Sequence, residues 1–306
     1  MLKSSVCRQE DIESQPFVET EHDLKTRRWF ELQGTPNPLN IIHRKSWEFS
    51  YITIALRERG MLQPGKRGIG FAVGCEPLPS YFASQGCEIL ATDLWNDSGN
   101  SKIWQRTRQN AAGNIDMLNE LKHCSDEIFK KRVSYSNVDM NHIPEDFYGK
   151  FDFCWSSCAI EHVGSLEKSK AFLKNVLNVL KPGGISVHTT EYNLSSEDRT
   201  YTEGNSILYR KKDLIEIADW MREHGHQMEE LDLRTGDKEG DLFTDSFPYY
   251  APPAKYHIRL HQICAKYRWQ RGFLKIMNHV LNLCGVKLRN LGFIGTSVGI
   301  IIRKGS

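Results

Sequence analysis

The sequence predicts an α/β fold with a Rossmann-like sheet, and three observations support this prediction. Residues 69–73 form an apolar run with small residues between, and Gly74 then ends the run as a buried strand is ended by a tight turn. Pro79 can open a short helix, because its missing N–H would be unpaired there in any case. A second apolar run, residues 89–92, ends on Asp93. This order of elements is typical of nucleotide-binding α/β folds: a strand, a glycine turn, a helix, a second strand and an acid.

The chemistry of the turn predicts which nucleotide is bound. Gly74 permits close ligand approach, and Asp93 lies where a ribose diol is bound in such folds, so we expect an adenosine-containing ligand. The dinucleotide fingerprint is not met, since Gly68 and Gly70 lie inside the apolar run instead of opening a helix. Glu76 in the turn would repel a pyrophosphate but suits a ligand with an ammonium and a sulfonium group. The turn therefore favours S-adenosylmethionine over NAD.

Three further strands are predicted farther along the chain. The third covers residues 133–138 and is followed by Asp-Met, and the fourth covers residues 151–155 and leads into SSCAIEHV. The motif KPGG at residues 181–184 precedes the fifth strand, residues 185–188. The final apolar run, residues 293–302, also has the composition of a strand.

From residue 67 to about residue 193 the chain resembles the class I S-adenosylmethionine-dependent methyltransferases. The resemblance rests on four matched places in order: the glycine turn, the acid after the second strand, Glu-His after the fourth strand, and KPGG before the fifth. It implies a Rossmann-like, seven-stranded methyltransferase sheet and S-adenosyl-L-methionine as the cofactor. The chain departs from the family pattern at Ala72, where an acid is usual, and at Glu76 and Leu78, which replace later turn glycines. Glu76 is then the candidate to supply the carboxylate missing at Ala72.

The resemblance also implies which residues bind the cofactor. They are Gly74, Cys75, Glu76, Asp93, Leu94, Asp139, Met140 and Ser156. Asp139 follows the third strand, where an acid accepts a hydrogen bond from the adenine amino group, and Met140 offers its backbone N–H. Trp95 is compatible with stacking on the adenine and equally with plain packing.

The predicted catalytic residues are His162, Glu161 and Glu191. His162 follows the fourth strand, beside the transferred methyl group in this fold, and titrates near neutrality, so it is a candidate general base. Glu161 would orient His162 or bind substrate, and a structural role for this pair remains open. His188 and Glu191 form a second candidate group at the end of the fifth strand. No metal is expected, since no tight set of paired acids with a histidine is evident.

We expect the acceptor to be an oxygen on a sugar, glycan or phosphorylated small molecule, as in bacterial surface-polysaccharide assembly. After Asp245 the chain has 10 basic residues and no acidic one, which leaves 30 basic and 38 acidic residues, or −8, before it. This asymmetry favours an anionic partner, although packing of the basic tail on the acidic body explains it equally well. The aromatic loop at residues 247–250 suits a sugar ring. A nucleic-acid acceptor is not favoured, because SSC stands where an N-methylation motif would follow the fourth strand.

The domain prediction is an N-terminal helical cap, residues 1–65, and a methyltransferase domain, residues 66–306. Residues 256–260 are predicted to pair with the last strand, which makes residues 262–290 a basic helical insertion. Such a helix can lie on an anionic membrane surface, contact a subunit, or pack on its own domain. In the family, helices before the first strand often cover the cofactor, which makes His43 and Arg44 candidates for ligand contact.

Composition agrees with a globular protein, with 40% hydrophobic and 25% charged residues among 306. The polar N-terminus and the lack of a long apolar stretch predict a cytoplasmic protein, with the cysteines as buried free thiols. Two other functions stay open: a non-catalytic S-adenosylmethionine-binding or scaffold protein, and an NAD-linked oxidoreductase, which Glu76 and KPGG disfavour.

Overall fold

A mixed β-sheet runs through the centre of the computed structural model, which describes residues 1–33, 44–95, 114–238, 241, 245–246 and 293–306. The strands are β1 Ser4–Ser5, β2 Arg67–Gly70, β3 Glu88–Asp93, β4 Val133–Asn137, β5 Phe151–Ser157, β6 Leu180–Asn193, β7 Gln227–Met228, β8 Leu231–Asp232, β9 Asp245–Ser246 and β10 Ile294–Arg303. The α-helices are α1 Gln9–Ile12, α2 Gln15–Asp23, α3 Thr26–Leu32, α4 Arg44–Glu58, α5 Leu78–Ser84, α6 Asp126–Arg132, α7 Leu166–Asn175 and α8 Lys211–Glu223.

The strand order of the main sheet is β4-β3-β2-β5-β6-β10-β7, and β9 pairs with β10 outside this path. The strands from β4 to β6 are parallel, whereas β10 is antiparallel to both of its neighbours, β6 and β7. The carboxyl ends of the parallel strands therefore lie along one edge of the sheet, where open α/β sheets bind their ligands. The Rossmann-like α/β fold predicted from the sequence is confirmed.

Alternate residues of the central strands pack into two cores, one on each face of the sheet. Phe153 and Trp155 of β5 point into the core that contains α4 and α5, whereas Cys154 points into the core beneath α7 and α8. Helix α4 is buried on all sides from Ser46 to Leu56. A helix buried all round lies inside the protein.

Helix α4 lies directly on β10 because Gly299 leaves room for it. A Cβ atom on Gly299 would come within 2.1 Å of the Tyr51 ring. Gly60 lies just past the end of the helix, and its φ of +69° allows the N–H of Met61 to reach the carbonyl of Leu56 at 2.9 Å. This close fit brings the first turn of α4 over the carboxyl ends of β5 and β6.

Three features of the fold go beyond what the sequence predicted. Residues Ser4–Ser5 form β1 beside β8, so the start of the chain is buried and paired. Lys25, which has a φ of +52°, separates α2 from α3. Strand β6 continues to Asn193, because β10 pairs with it along that length.

The strand that the structure places beside β10 on its outer side is β7. The predicted partner, residues 256–260, and the predicted insertion, residues 262–290, lie outside the described residues. The division into residues 1–65 and 66–306 stays a prediction, with α4 sharing one core with β5 and β6. Within the described ranges, no helix is both long and apolar enough to cross a lipid bilayer. The six cysteines in those ranges are free thiols.

Candidate active site

The glycine turn after β2 is bonded directly to the acid at the end of β3. The Gly74 N–H donates to Asp93 Oδ2 at 3.0 Å, and the Leu94 N–H donates to Asp93 Oδ1 at 3.1 Å. Gly74 has a φ of +53°, which favours glycine, and Ala72 has a φ of +51°, which is rare for a residue with a Cβ atom. The structure thus brings together the turn and the acid that the sequence predicted as one site.

Two indole groups, one half-buried and one fully buried, donate hydrogen bonds to the same turn. Trp29 of α3 donates from Nε1 to the Cys75 carbonyl at 2.7 Å, and Trp155 of β5 donates to Glu76 Oε1 at 2.6 Å. Burial raises the pKa of Glu76 to about 8, and it outweighs the Trp155 indole and Lys45, which favour the ionised carboxylate. Neither tryptophan was predicted to act here.

At the carboxyl ends of β3 and β4, the side chains of Asn137 and Asp139 form hydrogen bonds that hold the backbone in place. Asn137 exchanges two hydrogen bonds with the backbone of Trp95, at 2.7 and 2.9 Å, and so ties the end of β4 to the end of β3. The Asp139 carboxylate accepts from the backbone and side chain of Asn141 and contacts His142. The neighbouring Met140 is buried.

A group of five ionisable side chains lies between the first turn of α4 and the carboxyl ends of β5 and β6. We call it the charged cluster: Arg44, Lys45, Glu48, Glu161 and Glu191. Arg44 donates to both oxygens of Glu191, at 2.9 and 3.2 Å. Lys45 donates to Glu48 at 2.9 Å, and Glu48 also accepts a 2.5 Å hydrogen bond from Ser297. The cluster joins α4 to β6 and β10.

The members of the charged cluster differ in their electrostatic environment. Burial opposes the ionisation of Glu48, but Lys45 and Arg44 outweigh it and lower the pKa of Glu48 to about 2. Burial, and next the negative charge of Glu191, raise the pKa of Glu161 above its ordinary value. Glu161 accepts from the Thr190 hydroxyl at 3.0 Å and forms no salt bridge with a lysine or arginine of the described residues. The cluster therefore holds three carboxylates against two cations.

His162 lies beside Glu161 but is turned towards the following loop. Its Nδ1 is 2.5 Å from the Asn205 carbonyl, and its Nε2 is 3.9 Å from Glu161 Oε1. Burial lowers the pKa of His162. The structure thus groups all three predicted catalytic residues, with Glu161 as the innermost of them.

The second predicted histidine is enclosed in the protein. His188 is fully buried, with Nδ1 at 2.7 Å from the Ser156 hydroxyl and Nε2 at 2.6 Å from the Ser186 hydroxyl. Burial lowers the pKa of His188 to about 3, so it is neutral at physiological pH. Ser156 lies in this layer beneath the site, and its predicted contact with the cofactor stays a prediction.

A metal ion is geometrically conceivable at one point of the site. Potential ligand atoms of Cys158, Glu161 and Glu191 lie within 4.8 Å of one another. Because Arg44 already binds both oxygens of Glu191, this arrangement gives no support to a cation there, and the expectation of no metal stays a prediction.

Sequence analysis did not find Lys45, Glu48 or Trp155. Lys45 and Glu48 are three residues apart on α4, which is a signal for a helical ion pair but not for its burial against β10. Of the other candidates, His43 and the aromatic residues at 249–250 lie outside the described residues.

Comparison with known proteins places a methyltransferase domain over this site. Residues 70–188 match the family model described as a methyltransferase domain. No curated protein matches the sequence.

Similar solved structures include a putative sarcosine dimethylglycine methyltransferase from Galdieria sulphuraria, with 16% identity over 94% of this chain and 98% of that chain and a TM-score of 0.48. The [4+2]-cyclase SpnF has 14% identity over 99% of each chain and a TM-score of 0.48. Phosphoethanolamine N-methyltransferase 2 of Haemonchus contortus, in complex with S-adenosyl-L-methionine, has 14% identity over 98% of this chain and 60% of that chain, with a TM-score of 0.46. The family match and the bonded glycine turn identify residues 70–188 as a methyltransferase domain, for which S-adenosyl-L-methionine is the cofactor.

Proposed function

We propose that this protein transfers the methyl group of S-adenosyl-L-methionine to a hydroxyl oxygen of a small polar acceptor, with Glu161 as the proton acceptor. The observation that carries the proposal is the position of Glu161. It is a buried carboxylate at the carboxyl end of β5, without a lysine or arginine partner among the described residues, in a cluster that already neutralises Glu48 and Glu191.

The residues of the turn fit the cofactor. Gly74 lets the backbone approach a ligand closely, and Asp93 is held by two backbone N–H groups at the position expected for a ribose diol. One oxygen of Glu76 accepts from Trp155, and the other accepts no hydrogen bond from the described residues. An open, buried carboxylate suits the ammonium group of the methionine moiety.

When bound, the cofactor would supply an electrophilic methyl group, whose bond to sulfur breaks in the transfer and leaves S-adenosylhomocysteine. Thr190 fixes the orientation of Glu161. Glu161 takes the proton of the acceptor hydroxyl while the acceptor oxygen forms its new bond to the methyl carbon. Burial favours this role because it raises the pKa of Glu161 and makes the carboxylate a stronger base. His162 is partly exposed, and its Nε2 faces Glu161, so it offers the proton a route to solvent.

The charge of the cluster bears on the acceptor class. Arg44 is paired with Glu191 and Lys45 with Glu48, so the cations of the charged cluster are already engaged by carboxylates, which favours a neutral hydroxyl compound such as a sugar over a phosphorylated group at the reacting end. A role in bacterial surface-polysaccharide biosynthesis is the finer form of this proposal, supported in the sequence by the aromatic loop at residues 247–250. The basic residues at 255–289, which would favour an anionic acceptor, lie outside the described residues.

The test is a mass-shift screen with the purified protein, S-adenosyl-L-methionine and three acceptor panels. The panels are neutral sugars and glycan fragments, sugar phosphates and nucleotides, and small amines. A gain of one methyl group on an oxygen of a neutral sugar supports the proposal. Methylation of an amine alone would replace the hydroxyl assignment, and cofactor binding without any product would favour a non-catalytic binding protein.

A further inference from the structure

Trp155 and Gly70 together shape the inner wall of the cofactor turn. A Cβ atom on Gly70 would lie 2.4 Å from Cζ2 of Trp155, so the indole fills the space beside the end of β2. Trp155 is fully buried, and its ring contacts the rings of Phe82 and Phe153 with centroids 5.0 and 5.9 Å away. The indole N–H is therefore fixed in position and points at the turn.

The partner of that N–H is a carboxylate with one oxygen left to bind a ligand. Glu76 is 5% exposed, and Trp155 Nε1 donates to its Oε1 at 2.6 Å. Its Oε2 accepts no hydrogen bond from the described residues, and no salt bridge to Glu76 occurs among them. A buried carboxylate without a cation is costly, and a bound cation would remove that cost.

We propose that Glu76 binds the α-ammonium group of the cofactor and that Trp155 is the residue that positions it. The inference rests on the cofactor side of the proposed methyl transfer. The proposal assigns to Glu76 in the turn the binding of the ammonium group, which an acid before the turn would usually perform. In this chain the residues before the turn, such as Gly70 and Ala72, are not acidic.

The assignment has a consequence for the pH dependence of binding. The charged groups that act on Glu76 are Lys45, which favours its ionised form, and Asp93 and Glu48, which oppose it. Glu76 holds a proton at neutral pH before the ligand binds and must release it to pair with an ammonium group. Affinity should therefore rise with pH between 6 and 8, by at most about tenfold per pH unit.

The experiment is isothermal titration calorimetry with S-adenosylhomocysteine and with its analogue that lacks the α-amino group. Glu76→Gln keeps an acceptor for the Trp155 N–H, so the variant should fold. We expect Glu76→Gln to weaken the binding of S-adenosylhomocysteine by about tenfold to hundredfold at pH 8 and to abolish the pH dependence, while the deaminated analogue binds both proteins equally. Equal binding of S-adenosylhomocysteine to wild type and Glu76→Gln would overturn the proposal. Failure of the wild type to bind it at all would overturn the proposed function as well.

Trp155→Phe tests the positioning role, and Trp47→Phe is the matched control. Both tryptophans are buried, and each donates to a carboxylate, since Trp47 Nε1 donates to Asp11 at 3.2 Å away from the turn. We expect Trp155→Phe to weaken binding about three- to tenfold and to shift the rise in affinity to higher pH, because Glu76 loses its donor. Trp47→Phe should stay within about twofold. Equal losses in the two variants would mean that Trp155 acts only through packing.

Discussion

The two halves of the site bury carboxylates in opposite ways. On the cofactor side, the partner of Glu76 among the described residues is an indole N–H, and burial raises the pKa of Glu76 to about 8. On the acceptor side, Glu48 lies against Lys45 and Arg44, which lower its pKa to about 2 despite equal burial. Burial alone does not decide the charge of a group, because its neighbours do. The cofactor side is thus prepared to receive a cation, whereas most of the acceptor side is already neutralised.

The exception on the acceptor side is Glu161. It shares the burial of Glu48 but, among the described residues, has the Thr190 hydroxyl and the neighbouring His162 in place of a lysine or arginine. In this respect it resembles Glu76 more than its own neighbours. Each half of the site therefore contains one buried carboxyl group that forms no salt bridge with a lysine or arginine of the described residues. These two are the groups that we expect to act on ligands.

Glu161→Gln should have the largest effect of all single changes in the site. The glutamine side chain would keep the hydrogen bond from Thr190 but could not take a proton, so we expect the rate of methyl transfer to fall by about 10² to 10⁴. The measurement is single-turnover kinetics with an acceptor found in the screen. The affinity for S-adenosylhomocysteine, measured by calorimetry, should change little.

The exposed Glu167→Gln on α7 is the matched control for that substitution. Its side chain is 80% exposed and pairs with Lys170, so it should leave the rate unchanged. If Glu161→Gln kept more than about half of the wild-type rate, Glu161 would not be the base, and His162 would become the candidate.

Glu48→Gln should lower the stability of the protein, because it removes a buried negative charge from the acceptor half of the site. It leaves Lys45 and Arg44 short of one buried negative charge, and we expect the free energy of unfolding to fall by about 3 kcal/mol at pH 7. The folded-state pKa of Glu48 is depressed, so its contribution is present above about pH 4.5 and is lost as the pH falls towards 2. Urea denaturation at pH 7 and pH 4 should show the difference between wild type and variant narrowing at the lower pH.

Glu31→Gln is the matched control for Glu48→Gln. It removes an exposed ion pair whose partners, Arg28 and Glu31, are also three residues apart. It should change the free energy of unfolding by less than about 0.5 kcal/mol. Equal effects of Glu48→Gln and Glu31→Gln would contradict the stabilising role of the charged cluster.

The sequence predicted the cofactor half far better than the acceptor half. Gly74 and Asp93 are separated by one strand–helix–strand unit, whose local pattern is visible in the sequence, and the structure bonds them directly. The charged cluster instead depends on α4 lying across β10, which joins Glu48 to Ser297 across 249 positions. No local pattern reports such a contact, so Lys45 and Glu48 were missed. The boundary of β6 was missed for the same reason, since β10 extends it from the far end of the chain.

Without ligand, Glu76→Gln should raise the free energy of unfolding, whereas Glu48→Gln should lower it. The folded-state pKa of Glu76 is raised, so the wild type loses stability as the pH rises from about 4.5 to about 8, while the variant does not. We expect the variant to match the wild type near pH 5 and to exceed it by roughly 2 kcal/mol at pH 8. Thermal denaturation at the two pH values measures this. A lower stability of Glu76→Gln at pH 8 would show that the carboxylate is already paired with a cation.

The smallest expected effect is that of Ala72→Gly, which tests for backbone strain in the cofactor turn. Ala72 has a φ of +51°, a conformation that costs a residue with a Cβ atom about 1 kcal/mol or more, whereas glycine adopts it freely. The gain is partly offset by the greater freedom of glycine in the unfolded chain, so we expect the free energy of unfolding to rise by no more than about 1 kcal/mol. Ala83→Gly inside α5 is the matched control and should lower it by a similar amount, because glycine weakens a helix. If both variants lowered it alike, the turn would store no strain, and the left-handed conformation of Ala72 would have to be stabilised by the contacts of its own methyl group.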